Sequence, residues 1–271
     1  MIRPLDVDKL RAEFTAAQPY RYLTVDGFLD QAAVEELAVS YPTFESAVRM
    51  GLTFKTVNEQ KKVQVTDAAL FPAPVRRLND ALASPDFLAR LSDITGIPDL
   101  LADDQLEGGG MHVTGAGGRL DVHVDFNYLE QRRLHRRLNL LLYLNPEWQE
   151  SWGGHIELWD PAVKTCGHRS QPTLNRCLIF ETSEISFHGV APVSCPPGIE
   201  RRSFACYFYT REAPPGWRGV AHSTVFKARP NERLRGYVAM PAERVANGIV
   251  RQLRRAKRRL GTWLRGPAPR T

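Results

Sequence analysis

Between Met111 and Thr210 the chain breaks into eight short runs, and this fragmentation restricts the fold more than any other feature. The runs are MHVTG, RLDVHVDF, RRLNLLLYLN, GGHIELWD, KTCGHRS, RCLIFET, ISFHGVAPV and RRSFACYFYT. Turns rich in Gly, Pro, Asn and Asp, such as GAGG, NPEWQESWGG and SCPPGIE, separate them. Many short strands at this spacing point to a sandwich or barrel, because short strands bury their apolar faces only by packing against one another.

Eight runs suit a double-stranded β-helix, the jelly-roll or cupin-like barrel, which makes the chain mainly β with flanking helices. The N-terminal third reads as helical with one or two strands, a buttress over residues 1–105 against a barrel core over 106–226. Asp6 opens a helical stretch to Phe14, and YRYLTVDGFL reads as a strand entering a turn. Asp30 begins a segment whose Ala33, Val34, Leu37 and Ala38 form an apolar stripe, and Ser84-Pro85 has the form of an N-cap followed by proline at the first helical position. One catalytic domain over 1–243 and a basic amphipathic tail over 244–271 complete the expected organisation.

The net charge of +6 is concentrated in that tail. It holds nine of the 36 Lys and Arg and none of the 30 Asp and Glu, leaving −3 for the rest. Nucleic acid is therefore not expected as a partner of the main domain. The tail places Ile249, Leu253, Ala256, Leu260 and Trp263 at helical spacing, which suits packing on the main domain, or contact with an anionic surface or acidic partner. The start, MIRPLDVDKLRAEF, mixes acids and bases where a signal sequence would be apolar, so a cytoplasmic protein is expected. Cys166, Cys177, Cys195 and Cys206 contain no CxxC pair and read as reduced packing residues.

Chemistry enters in LDVHVDFNY. Side chains in a strand alternate, so Asp121, His123 and Asp125 fall on one face. A solvated polar face is one reading. The other is half of a metal site, since residues at i and i+2 converge from adjacent pleats. A third ligand is available at His188 in ISFHGVAPV, giving two imidazoles and one carboxylate, the facial triad that leaves positions open on a non-heme ferrous ion. Thirteen residues later, Arg201 and Ser203 share a strand face, and a guanidinium with a hydroxyl beside it suits a carboxylate.

Taken together, His123-x-Asp125, RRLNLLLYLN, WGGHIELW, His188 and Arg201-x-Ser203 resemble the Fe(II)- and 2-oxoglutarate-dependent dioxygenases, in particular their prolyl-hydroxylase-like branch, over Gly108 to Thr210. The resemblance implies Fe(II) held by His123, Asp125 and His188, and 2-oxoglutarate as co-substrate held at its far carboxylate by Arg201, Ser203 and Tyr143. It also implies O2 as oxidant and ascorbate as a supporting reductant. Asn139 and Leu141 share the strand face of Tyr143 and are expected to line the cavity. Arg202 points the other way, although the Arg201-Arg202 pair leaves room for either to be the anchor. Asp121 is an extra acid on the ligand face, expected near the barrel mouth and facing substrate.

The implied reaction is hydroxylation of an unactivated C–H bond in an amino acid, a peptidyl proline or a natural-product intermediate, with 2-oxoglutarate converted to succinate. Asp125 opposes a halogenase, in which that position is vacated for chloride. The basic stretch YLEQRRLHRRLN, with Arg132, Arg133, Arg136 and Arg137, reads as a solvated loop or as a cover that meets an anionic substrate. Trp152 and Trp159 are expected to be barrel packing. Two other classes compete: a non-catalytic metal-binding module acting through its tail, and a zinc or cupin-type isomerase, which has no use for Arg201.

Overall fold

A computed structural model describes residues 1–232 and 234–241. The expected tail over 244–271 lies outside the described residues. The compact unit that carries the sheet spans Met1–Lys227.

Four of its five described α-helices begin where short polar side chains meet unsatisfied backbone N–H groups. Asp6 accepts from Lys9 N at 3.1 Å and opens α1 (Val7–Ala16), which is followed by β1 (Tyr22–Asp26). Asp30 accepts from Ala33 N at 2.8 Å and opens α2 (Gln31–Ser40), which buries Val34 and Leu37 of the expected stripe. Next come α3 (Phe44–Met50), a hairpin of β2 (Leu52–Lys55) and β3 (Glu59–Val65), and α4 (Ala73–Leu82). Ser84 caps α5 (Pro85–Thr95), and Gly96, with φ of 70°, ends it. The N-terminal third carries three strands where one or two were expected, and β1 and β3 join the same sheet as the core.

The sheet continues with β4 (Leu101–Ala102), β5 (Gly110–Val124), β6 (Tyr128–Leu129), β7 (Leu134–Tyr143), β8 (Ile156–Trp159), β9 (Cys166–Ser170), β10 (Arg176–Glu181), β11 (His188–Val190), β12 (Arg201–Thr210) and β13 (Val225–Lys227). Its order is β1-β10-β7-β12-β5-β11-β8-β9, with β3 and β13 also on β5. The long strand β5 turns this sheet into a double-stranded β-helix. Residues 110–114 pair with β12 on one side and β3 on the other, whereas 120–124 pair with β11 and β13. One strand therefore belongs to both walls.

The GAGG stretch, expected to be a turn between two strands, lies inside β5 instead. Gly117 adopts φ of 77° and donates to the Val193 carbonyl at 2.7 Å, so the glycines bend the strand without ending it. The main apolar core lies between the outer face of the larger wall and the helices. It joins Leu138, Leu140, Leu142, Phe204 and Phe208 to Phe14, Leu37, Leu78 and Leu91. At about 1.5–3 kcal/mol for each large apolar side chain buried, this layer holds the barrel rigid beneath the site.

Candidate metal centre and co-substrate cavity

His123 on β5 and His188 on β11 are directly paired across the ladder, and their rings lie 4.3 Å apart. Asp125 follows β5. Its Oδ1 is 3.6 Å from His123 Nε2 and its Oδ2 is 3.4 Å from His188 Nε2, and the three offer ligand atoms within 4.8 Å of one another. His123 Nδ1 lies 2.8 Å from the Asp121 carbonyl oxygen, and His188 Nδ1 lies 2.9 Å from that of Ser186. A carbonyl only accepts, so each Nδ1 carries a proton and each Nε2 is turned towards Asp125 as the available ligand atom. Such backbone partners fix the tautomer of metal-ligating imidazoles. Burial, and then the neighbouring His123, push His188 down to about 3, which keeps it neutral. Burial acts to raise the Asp125 carboxyl, but the Arg136 guanidinium, foremost among its neighbours, acts against it and the group is held well below its usual range.

The three groups open on a cavity of about 300 Å³. Arg201 and Ser203 line it, as do Asn139 and Leu141. Arg201 is only 4% exposed. Its Nε donates to the Gly154 carbonyl at 2.6 Å, while its Nη2 is buried and makes no hydrogen bond. Tyr143 Oη is also buried and unpaired, and the Tyr143 ring lies 5.0 Å from the Arg201 guanidinium carbon. Tyr143 pairs across the ladder with Ser203 but is not itself on the cavity wall. Arg202 lies outside the cavity, donating to Glu200 at 2.9 Å. Buried polar groups are nearly always satisfied, so an unpaired guanidinium nitrogen and phenol side by side are what a carboxylate would complete.

These residues fit the groups implied for them. Two imidazoles and a carboxylate form a donor set suited to a ferrous ion, and the unpaired Arg201 Nη2 and Tyr143 Oη suit the far end of a dicarboxylate.

Two expectations are corrected. Strict alternation puts Asp121 on the ligand face, but β5 and β11 are out of step between His188↔His123 and Val190↔Leu120, the four residues 120–123 facing the three residues 188–190. That bulge brings Leu120 to the cavity beside His123. Asp121 is fully buried, binds Arg119 Nε at 2.8 Å and does not line the cavity. The second correction concerns YLEQRRLHRRLN. Arg136 and Arg137 belong to β7 and are buried, at 3% and 6% exposure. Arg136 lines the cavity, with its Nη2 3.0 Å from Asp125 Oδ2.

A further bulge explains why sequence reasoning missed Arg136. The register passes from Phe208↔Leu138 to Tyr209↔Arg136, leaving Arg137 as an extra residue, so Arg136 turns to the inner face three positions before Asn139. The hairpin β2–β3 was missed too. It adds Phe54, Glu59, Lys62 and Gln64 to the wall, and β13 adds Phe226, whose ring lies 5.2 Å from that of His123.

Comparison with known proteins bears on this geometry. A family model described as the 2OG-Fe(II) oxygenase superfamily matches residues 109–209. The prolyl 3-hydroxylase OGFOD1 of Xenopus laevis is 36% identical over 100 residues, taking in 33% of this chain and 18% of the relative, so the chain spans a minor part of that protein's length. Among solved structures, a prolyl-4-hydroxylase of Pseudomonas putida aligns with a TM-score of 0.54 at 18% identity, covering 74% of this chain and 99% of the other. A prolyl hydroxylase of Trichoplax adhaerens, solved with a peptide fragment of the hypoxia inducible factor oxygen degradation domain, aligns with a TM-score of 0.52 at 15% identity. It covers 75% of this chain and 86% of that one. These structural likenesses show the fold.

Proposed function

We propose that this chain, whose residues 109–209 match the 2OG-Fe(II) oxygenase superfamily and which is similar over 100 residues to a prolyl hydroxylase, hydroxylates an unactivated C–H bond of an amino acid, a peptidyl proline or a natural-product intermediate. The observation that carries this reading is the adjacency of the His123, Asp125 and His188 donor set to Arg201, whose buried Nη2 is unpaired. Ferrous iron with 2-oxoglutarate supplies the oxidising chemistry: one oxygen atom of O2 enters the C–H bond, and the other appears in succinate as carbon dioxide is lost.

The protein's part is positioning and electrostatics. His123, Asp125 and His188 would hold the metal, with both imidazoles fixed by backbone carbonyls. Arg201 and Ser203, which line the cavity, would anchor the far carboxylate of the co-substrate, with the Tyr143 ring against the Arg201 guanidinium. Apolar groups, Leu141, Ile156, Phe180 and Val190, line the cavity and exclude water. A cavity of about 300 Å³ is at the small end for ligand sites, and the co-substrate takes a large share of it. The reacting part of the substrate is therefore compact, such as one ring or side chain, and the rest of a larger substrate stays outside.

The reading is tested by succinate release from 2-oxoglutarate with Fe(II) and ascorbate, across free amino acids, proline peptides and small natural-product acceptors. Turnover stimulated by one of these classes, and lost in Asp125→Ala, is the expected result. Succinate release that persists unchanged in Asp125→Ala would refute the ligand assignment.

A further inference from the structure

The carboxylate of Asp125 is held by a polar unit of its own. Oδ2 accepts from Asn139 Nδ2 at 2.8 Å and lies 3.0 Å from Arg136 Nη2. Arg136 in turn donates to Asn139 Oδ1 from Nε at 2.9 Å and Nη2 at 2.8 Å. This fixes the amide: its oxygen faces the guanidinium, so its nitrogen must face the carboxylate. The guanidinium itself is confined, with its central carbon 3.6 Å from the Tyr207 ring centroid and 4.6 Å from that of Phe126. Both donors converge on Oδ2. Oδ1 takes no bond from either donor and lies 3.6 Å from His123 Nε2, while Oδ2, besides its two donors, lies 3.4 Å from His188 Nε2.

We propose that Arg136 and Asn139 are positioning residues that keep Oδ2 of Asp125 out of metal coordination, so that the carboxylate binds through Oδ1 alone and leaves room for 2-oxoglutarate. The inference rests on the metal-centre reading above. A carboxylate can chelate an ion through both oxygens, and doing so would take a position that the keto acid needs. Two hydrogen bonds on one oxygen, one of them from a cation, oppose that second contact. Charge adds a separate effect. Arg136 balances Asp125 before any metal arrives and repels a divalent ion afterwards, so its removal tightens metal binding even as co-substrate binding weakens.

The test uses the full chain titrated with Co(II) alone, by calorimetry and by its visible spectrum, and then with 2-oxoglutarate. The parent is expected to bind one Co(II) and then the keto acid. Asn139→Leu, which changes no charge, should bind Co(II) at least as tightly, with an altered Co(II) spectrum and 2-oxoglutarate affinity at least tenfold weaker. Arg136→Met should do the same and bind Co(II) more tightly still. Arg136→Lys should return Co(II) affinity towards the parent's but not 2-oxoglutarate affinity, because an ammonium cannot reach both Asn139 Oδ1 and Asp125 Oδ2 as the planar fork does.

The proposal is overturned if Asn139→Leu keeps the parent's spectrum and an affinity for 2-oxoglutarate within twofold. It is equally overturned if that variant loses Co(II) binding, since the pair would then build the ligand set and not restrain it. Should Arg136→Met fail to fold by circular dichroism, Asn139→Leu decides. A parent that binds no Co(II) would instead sink the metal reading itself.

Discussion

Replacing Arg201 by Met separates the anchor from the scaffold, and the structure gives the size of each effect. In the ligand-free protein the guanidinium is buried with Nη2 unpaired, a cost of about 1–3 kcal/mol, against which its bond to the Gly154 carbonyl returns about 1.5–3 kcal/mol. The two nearly cancel, so the ligand-free variant should keep its stability to within about 1 kcal/mol. With 2-oxoglutarate bound the balance is lost, because deleting one partner of a buried charged pair costs about 3–5 kcal/mol. That weakens affinity by on the order of 10²–10³-fold.

The assay is a thermal melt of the metal-loaded protein with and without 2-oxoglutarate. At one hundred times the parent's dissociation constant, ligand binding adds about 2.7 kcal/mol. For a chain of this size that raises Tm by roughly 5–10 °C. The variant under the same conditions should shift by about 1 °C at most. Arg202→Met, whose side chain binds Glu200 outside the cavity, should behave as the parent. A full shift in Arg201→Met, or a lost one in Arg202→Met, would refute the assignment of the anchor.

Other perturbations test the scaffold. A Cβ added at Gly189 would meet the Leu120 carbonyl oxygen and Val122 Cα and N at 3.1 Å, all backbone of the bulge that aims His123. Gly189→Ala should cost about 1–3 kcal/mol and lower Co(II) affinity, seen by melt and calorimetry; unchanged metal affinity would detach the bulge from ligand placement. At Gly154, φ is 67° and a Cβ would lie 3.1 Å from Arg201 Cδ, so Gly154→Ala should weaken 2-oxoglutarate far more than it lowers the stability of the metal-loaded protein. His112 is depressed from 6.5, by burial first and then by Lys62. The unfolded chain therefore binds its proton first, and stability falls as pH drops below about 6.5, continuing to the lower folded value. His112→Gln should flatten that part of a stability–pH curve, and an equal slope in both proteins would count against the depressed histidine.

Much of the centre is legible in the sequence. His123, Asp125 and His188 are named by spacing and type, and Arg201 with Ser203 by strand period, because period-two alternation holds wherever the ladder is regular. It fails where the ladder slips. Asp121 and Arg136 were misassigned, and each adjoins a bulge that shifts one strand against its partner, which turns every side chain beyond it to the opposite face. The GAGG stretch was misread for a related reason: glycines mark a turn and a strand bend with the same composition.

Alone, the order of residues fixed which groups could bind a ferrous ion and a dicarboxylate, since donor chemistry is a property of side chains. It also marked the helix starts at Asp6, Asp30 and Ser84, because a cap is a local hydrogen bond. Tertiary structure decided what surrounds those groups. The hairpin of Phe54, Lys62 and Gln64, Phe226 of β13 and the Arg136–Asn139 brace of β7 come from strands far apart in the chain. Their meeting depends on how β5 is shared between two walls, and no local pattern encodes a pairing of that range.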